Sequence, residues 1–486
     1  MWMVLATLAQ GAVPCQTAEL RLTAPPLADN VPAPLPDELQ QRDAFDVIDN
    51  VYLTEHFAIR WGADDDITLN MVALYGDGLE RAWDVHVDGM GYPQPFGTET
   101  YYLNAYIGNT GGGAPTISFD GGYVTIDDDG YPFIVMSKGL IELYDWVPEY
   151  PDSTVTHEFM HAIQFTVGRY DYDFDSGWFW EAHAEWSVQF VLGDDNASSS
   201  VGGYALLPYV SLYHFDYPDS GTLIETHHYG AEVFVTHLSE NVADEDLVLQ
   251  SWITAAPNES PQDAFDRLLI ERGSSLDEAF ENFAIRNATW DYEQSVEYRS
   301  SIGSYLQFYP GQGDLYAKDL EGAGTDWTDA KKSVLPWGLA YNHIRLDGLE
   351  GGPLEVGFEG EERGKLGTNA RWYASLVLDS FEETVVHPLV ADGLTSELTI
   401  DELGEFRTAY LVVSQHARSG PGEEKFGYRY KLLALDAPED TQLGASFYEN
   451  QPEPKVAKLC HCQTGAGGWL GWLFLVPLVS IRRTRG

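Results

Sequence analysis

The chain has 486 residues, 44% of them hydrophobic and 21% charged, a size and composition that exclude a disordered segment and require more than one core. Its 27 basic and 76 acidic residues leave a net charge of −49, which repels nucleic acid and anionic membrane surfaces and argues against a nucleic-acid function. The three cysteines, Cys15, Cys460 and Cys462, lie near the ends, so no disulfide framework holds the body together.

Met1 to Ala12 is apolar, with small residues at Ala9, Gly11 and Ala12. It reads as a signal peptide over residues 1–12, although a basic n-region is missing. Cys15 is a candidate lipidation site behind a poor lipobox, Ala12-Val13-Pro14. Residues 13–45 are rich in Pro, Ala and Asp and read as a linker or pro-segment. A strand is predicted at His56–Trp61. The helical spacing of Leu69, Val72, Leu79, Ala82 and Trp83 predicts a helix over Thr68–Val87. Strands follow at Tyr101–Ile107, Gly122–Ile126 and Phe133–Ser137, separated by Gly/Asp turns. A helix is expected to start at Ser153 or Thr154, both good N-caps. Further helices are predicted at Phe179–Leu192, Tyr229–Glu240, Asp263–Glu271 and Leu276–Asn287. Strands then helices give an α+β domain over residues 46–300, with a connector at 301–334. Over 335–435 short runs at Leu354–Phe358, Ala370–Leu378, Thr408–Ser414 and Tyr428–Leu433 alternate with Gly-rich turns, the pattern of a β-sandwich domain. An acidic, Pro-rich stalk occupies 436–458. A tail at 459–486 carries Cys460, an apolar run from Trp469 to Ile481, and Arg482, Arg483 and Arg485. The run is short of the roughly 20 residues that span a bilayer.

The chemistry is concentrated in His157-Glu158-Phe159-Met160-His161. On a helix, residues i and i+4 share a face, so both imidazoles can meet one metal ion, with Glu158 beside them to take a proton from water. A hydrolytic zinc site needs a third protein ligand. Glu181 follows His161 after 19 intervening residues, within Trp178-Phe179-Trp180-Glu181-Ala182-His183-Ala184-Glu185-Trp186. His183 falls off the ligand face and is expected either exposed or just behind the ligands, and Trp178, Phe179, Trp180 and Trp186 read as core. A second cation, calcium, is a candidate at Asp171-Tyr172-Asp173-Phe174-Asp175-Ser176-Gly177, which departs from the EF-hand pattern at Ser176 and Ala182.

This spacing resembles the gluzincin zinc peptidases, and the second segment resembles the "W-L-N-E-G-F-A-E" region of zinc aminopeptidases. Read residue by residue, the resemblance implies zinc on His157, His161 and Glu181, and Glu158 as general base. Glu185, one turn after the glutamate ligand, would orient the first histidine. Tyr229 would stabilise the oxyanion, a role that His227 or His228 could fill instead. It further implies a thermolysin-like, zincin-type α+β catalytic domain, followed here by the β-sandwich. Overall the chain resembles secreted myxobacterial metalloproteases that share a "HEF-x-HA-x-Q" helix, a "W-x-x-EA-x-A-x-W" helix and a "YG-x-x-x-F" helix, here Thr156–Gln164, Trp178–Trp186 and Tyr229–Phe234. The tail resembles the myxobacterial C-terminal sorting signal, which implies processing and a place at the cell surface or in the medium; a short tail anchor is the alternative.

The expectation is therefore a secreted or surface-anchored zinc endopeptidase acting on a peptide or protein, with Phe133–Ser137 as a strand for pairing with the substrate. No Gly-x-Met-x-Asn-type segment precedes His157, which favours an endopeptidase over an aminopeptidase. A non-catalytic surface adhesin on a degenerate peptidase domain is the rival from another class. The sequence leaves the oligomeric state open.

Overall fold

The first sheet begins with an antiparallel pair, β1 (Asn50–Leu53) and β2 (Phe57–Trp61). Helix α1 (Leu69–Trp83) then carries the chain to β3 (Leu103–Gly108), which lies parallel to β2 as a crossover connection requires. Thr68 caps α1, its hydroxyl oxygen accepting from the Met71 amide. A hairpin of β4 (Gly122–Ile126) and β5 (Pro132–Ser137) completes a five-stranded mixed sheet in the order β1-β2-β3-β5-β4. β2, β3 and β5 are buried along their whole length, as central strands covered on both faces are. This computed structural model describes residues 39–434 apart from 46, 47, 49, 65, 174, 194–199, 217–221, 310–326, 347–352, 381–382 and 419–422. The expected signal peptide, Cys15, the stalk and the tail lie outside the described residues.

Helix α2 (Glu149–Val167) packs against β4, β5 and α1, and is buried along nearly all its length. It starts at Glu149, a turn before the expected caps. Thr154 and Thr156 instead donate their hydroxyls to the carbonyls of Tyr150 and Asp152, one turn back, so they sit inside the helix at no loss of hydrogen bonds. Gly168, at φ 60°, ends it in the left-handed conformation. Helix α3 (Gly177–Leu192) packs on α2; Trp178, Trp180 and Trp186 are fully buried in its core. The predicted helix at Tyr229–Glu240 is broken: α4 (Val201–Ala205) is followed by α5 (His227–Gly230) and α6 (Glu232–His237). Gly230 lies so close to α4 that a Cβ would meet the Tyr204 amide nitrogen at 2.6 Å. Then come α7 (Glu245–Ile253), α8 (Pro261–Glu271), α9 (Leu276–Arg286) and α10 (Ser295–Phe308). Among the described residues no helix is long and apolar enough to cross a membrane.

Two four-stranded antiparallel sheets follow, in the orders β10-β9-β12-β7 and β11-β8-β13-β6. They are built from β6 (Thr328–Asp329), β7 (Ala340–Arg345), β8 (Leu354–Gly360), β9 (Trp372–Asp379), β10 (Thr384–Gly393), β11 (Thr395–Ile400), β12 (Thr408–Gln415) and β13 (Tyr428–Ala434). Leu354, Phe358, Trp372, Leu376, Leu411 and Leu432 form a core between them.

The expected fold class, a thermolysin-like α+β domain followed by a β-sandwich, is corrected. The chain is a mixed α/β structure with several sheets, in which β2 and β3, on either side of the expected helix, pair in parallel, a relation that the order of elements alone does not give. Nor does its C-terminal part pack only on itself. Leu339, Tyr341, Val377 and Val412 belong to the same hydrophobic cluster as Phe159 and Trp180. Asn287 donates to the Tyr341 hydroxyl at 2.8 Å, and His343 lies 2.7 Å from the Ala284 carbonyl.

A charge cluster closes this junction. The Asp277 carboxylate on α9 pairs with Arg371 at 2.7 Å, Arg418 at 2.9 Å and His416 at 3.4 Å. Burial alone would raise the Asp277 pKa, but His416 and Arg418 hold it well below the usual carboxylate range. Its stabilising effect is therefore complete above the unfolded value of about 3.9 and is lost only as pH falls through the lower folded value. Asp277→Asn is expected to cost roughly 2 kcal/mol at neutral pH, with the partly exposed Arg371 screened by solvent. Thermal melts of variant and wild type should converge in strong acid; a constant gap at every pH would contradict the assignment.

Candidate metal centre

Two buried helices bring the expected ligands together. His157 and His161 lie one turn apart on α2, and Glu181 projects from α3. The two Nε2 atoms are 3.0 Å apart, and Glu181 Oε2 lies 3.1 Å from His157 Nε2 and 3.5 Å from His161 Nε2. All three side chains are buried, and among the described residues this is the group of His, Cys, Asp and Glu donors able to hold a metal ion. The acids Asp171, Asp173 and Asp175 do not form such a group; Asp173 instead accepts from the amides of Asp175 and Ser176.

The donor set fits a cation. Three atoms that carry lone pairs face one another at 3.0–3.5 Å, and only a proton or a metal ion can lie among them without repulsion. Two of the donors, Glu181 and His161, are also held from behind, as metal ligands commonly are. The Tyr172 hydroxyl donates to Glu181 Oε1 at 2.6 Å, leaving Oε2 toward the imidazoles. His161 Nδ1 lies 2.6 Å from Gln164 Oε1. Glu185 Oε1 lies 3.5 Å from His157 Nδ1, within ion-pair range but beyond hydrogen-bond length.

Burial would raise the Glu181 pKa, yet the facing imidazoles of His161 and His157 hold it well below the usual carboxylate range. Glu185 is pushed strongly upward, first by burial and then by the acids Glu232, Glu181 and Glu158.

Glu158 is fully buried between the two histidines in sequence and rests against β4. A Cβ at Gly122 would lie 2.7 Å from Glu158 Cγ and 2.9 Å from Oε1, so the first residue of β4 must be small for Glu158 to keep this place. Phe133–Ser137, expected to pair with substrate, forms most of β5, an interior strand with β3 on one side and β4 on the other. It is already paired on both flanks, so it cannot add a peptide; the edge strands of this sheet are β1 and β4.

Tyr229 stands in α5 with its ring 6.1 Å from that of His157. His228 stacks beside it at 4.4 Å, and burial pushes the His228 imidazole down to about 4. His227 points elsewhere, its ring 4.7 Å from that of Tyr204. By sequence Tyr172 falls in an acidic loop and His183 off the ligand face. His183 is fully buried and bonded to Gln164. The signal for Gln164 was its place three residues after His161, on the same helix face.

Fold and site together define a mixed α/β chain with a buried three-donor group able to hold a metal ion. The chain belongs to the family of unknown function DUF6055, whose model matches residues 68–417. A search of curated proteins finds no match. Among solved structures it is similar to a family GH115 4-O-methyl-alpha-glucuronidase with specificity for decorated arabinogalactans, at 9% identity and a TM-score of 0.15. That match covers 61% of this chain and 40% of the other, so the chain spans less than half the length of that enzyme. At so low a TM-score the likeness transfers neither fold nor activity.

Proposed function

We propose that this chain is a zinc-dependent hydrolase of peptide bonds, an endopeptidase, with His157, His161 and Glu181 holding the ion. The observation that carries this reading is the convergence of these three donors beside the buried Glu158. A divalent cation bound there supplies Lewis-acid polarisation of a carbonyl and lowers the pKa of a water. Two imidazoles and one carboxylate, with a further position open, are a common ligand set for catalytic zinc.

Glu158 takes the proton of the attacking water and passes it to the leaving amine. It does so from a fully buried position beside the two histidines. Tyr229, whose ring lies 6.1 Å from His157, donates to the oxyanion; His228, packed against Tyr229, is the neighbouring group able to do the same. Glu185, with Oε1 3.5 Å from His157 Nδ1, is the group placed to take a hydrogen bond from that nitrogen and so orient the ring when it serves as a ligand. Glu185→Ala should bind zinc about 10- to 100-fold more weakly and turn over slowly without losing the site. Zinc titration against a chromophoric chelator measures this; unchanged affinity would make Glu185 a bystander.

The decisive experiment is metal content measured beside hydrolysis of an amine-blocked peptide and of a free-amine amide. Zinc near one per chain and chelator-sensitive cleavage of the blocked peptide are the expected result. Cleavage of the free-amine substrate alone would identify an aminopeptidase. No cleavage of either by zinc-loaded protein would leave the adhesin.

We also propose export, on the strength of residues 1–12 and the tail at 459–486. The mature protein should lack Trp469–Gly486, and intact-mass measurement on protein from the native host tests this; an uncut C-terminus would exclude processing.

A further inference from the structure

We propose that Gln164, His183 and Tyr92 form a positioning relay that holds His161 with its proton on Nδ1 and its Nε2 lone pair turned toward His157 and Glu181. The effect of this relay on zinc binding rests on the function proposed above; its hydrogen bonding does not.

The relay is anchored by one backbone carbonyl. Gln164 Nε2 lies 3.0 Å from the oxygen of Trp180, which can only accept. That contact sets the orientation of the amide: its nitrogen faces α3 and its oxygen faces His161. Gln164 Oε1 is 2.6 Å from His161 Nδ1. Two acceptors cannot meet at that distance, so Nδ1 bears a proton. In the neutral imidazole Nε2 is then bare, and Nε2 is the atom that faces the other two donors.

The second amide hydrogen of Gln164 has its own acceptor. Gln164 Nε2 is 3.0 Å from His183 Nδ1. His183 must therefore accept on Nδ1 and carry its proton on Nε2, which lies 2.8 Å from the Tyr92 hydroxyl oxygen. His183 is enclosed by the rings of Phe179, Trp186 and Trp252 at 5.4–5.6 Å. Every polar atom of the Gln164 amide is engaged, and each bond in the series admits one donor direction. Trp180 immediately precedes the ligand Glu181, so the same amide ties the histidine ligand on α2 to the glutamate ligand on α3.

An ordinary packing role for Gln164 and His183 would predict lost stability and nothing more. The relay predicts an ordered loss of zinc affinity and a change at the His161 ring. Gln164→Met keeps the length and removes both hydrogen-bonding ends. Its zinc affinity should fall about 10- to 100-fold. His183→Phe should lose less, and Tyr92→Phe least. Affinities are measured by chelator competition, with melting temperatures recorded beside them. Histidine side-chain ¹⁵N spectra, with the His161 signals assigned by their loss in His161→Ala, read the ring directly. In wild type the Nδ1 proton should be visible and slow to exchange; in Gln164→Met it should exchange faster, and the His183 signals should shift with it. Gln164→Met with wild-type zinc affinity, or wild-type His161 bearing its proton on Nε2 in zinc-free protein at alkaline pH, would overturn the relay. A wild type that takes up no zinc would sink the proposed function alone; the zinc-free spectra of wild type and Gln164→Met would then decide the relay, coupled shifts supporting it and independent ones ending it.

Discussion

Glu158→Gln is expected to purify with the same zinc content as wild type and to lose turnover by about 10²- to 10⁴-fold, the usual contribution of a positioned general base. The substitution keeps the side chain's shape and removes its capacity to take a proton. Glu158 is not among the three converging donors, so the ion should stay. Gly122→Ala offers an independent route to the same result. Its new methyl would meet Glu158 Cγ at 2.7 Å, so either the acid or β4 must shift, while the ligands on α2 and α3 are untouched. A displacement of about 1 Å at a reacting group can cost on the order of 10²-fold. Peptide turnover and metal content measured on both variants test this. Near-normal turnover in Glu158→Gln would remove Glu158 from the mechanism.

The second large effect is the loss of the ion from Glu181→Ala. Glu181 supplies the carboxylate of the donor set, and Tyr172 holds it in place at 2.6 Å. Removing it leaves two neutral imidazoles on one helix. Zinc affinity should drop by more than the roughly 100-fold upper bound for losing an outer partner. Zinc retention in wild type should also fall as pH is lowered, because protons compete for the two Nε2 atoms and the carboxylate. The sign is fixed: bound above, released below. Glu181→Ala that kept stoichiometric zinc would exclude Glu181 as a ligand. Release of zinc on raising the pH through neutrality would contradict the donor set as a whole.

Much of the site could be read from residue spacing. His157 and His161 fall on one helix face because a turn is 3.6 residues, and that holds wherever the helix lies. Glu181 was reachable through the gluzincin-like interval after His161, and the side-by-side packing of α2 and α3 brings it to the imidazoles. The central strands were legible from their apolar runs, and β4 and β12 fall within a residue or so of their predicted ends. Helix α2 was misplaced at its start because Ser153 and Thr154 serve equally as caps outside a helix and as back-bonded residues inside one. Strands β7, β10 and β11 went unread, and the last two expose alternate residues that carry little hydrophobic signal.

The sequence by itself determined the donors: two histidines a turn apart, a glutamate on the next helix, and the acid between the histidines. These are local or nearly local relations, set by helical geometry and a short connection. Tertiary structure alone decided what stands behind and around them. Tyr172 reaches Glu181, Gly122 makes room for Glu158, and His183 and Tyr92 continue from Gln164, through contacts that join separate elements. The same holds for the fold class. Parallel pairing of β2 with β3, and the sharing of one core by α9, β9 and β12, depend on which apolar faces meet after the chain has turned back on itself. Periodicity says that a face is apolar; it does not say which partner will cover it.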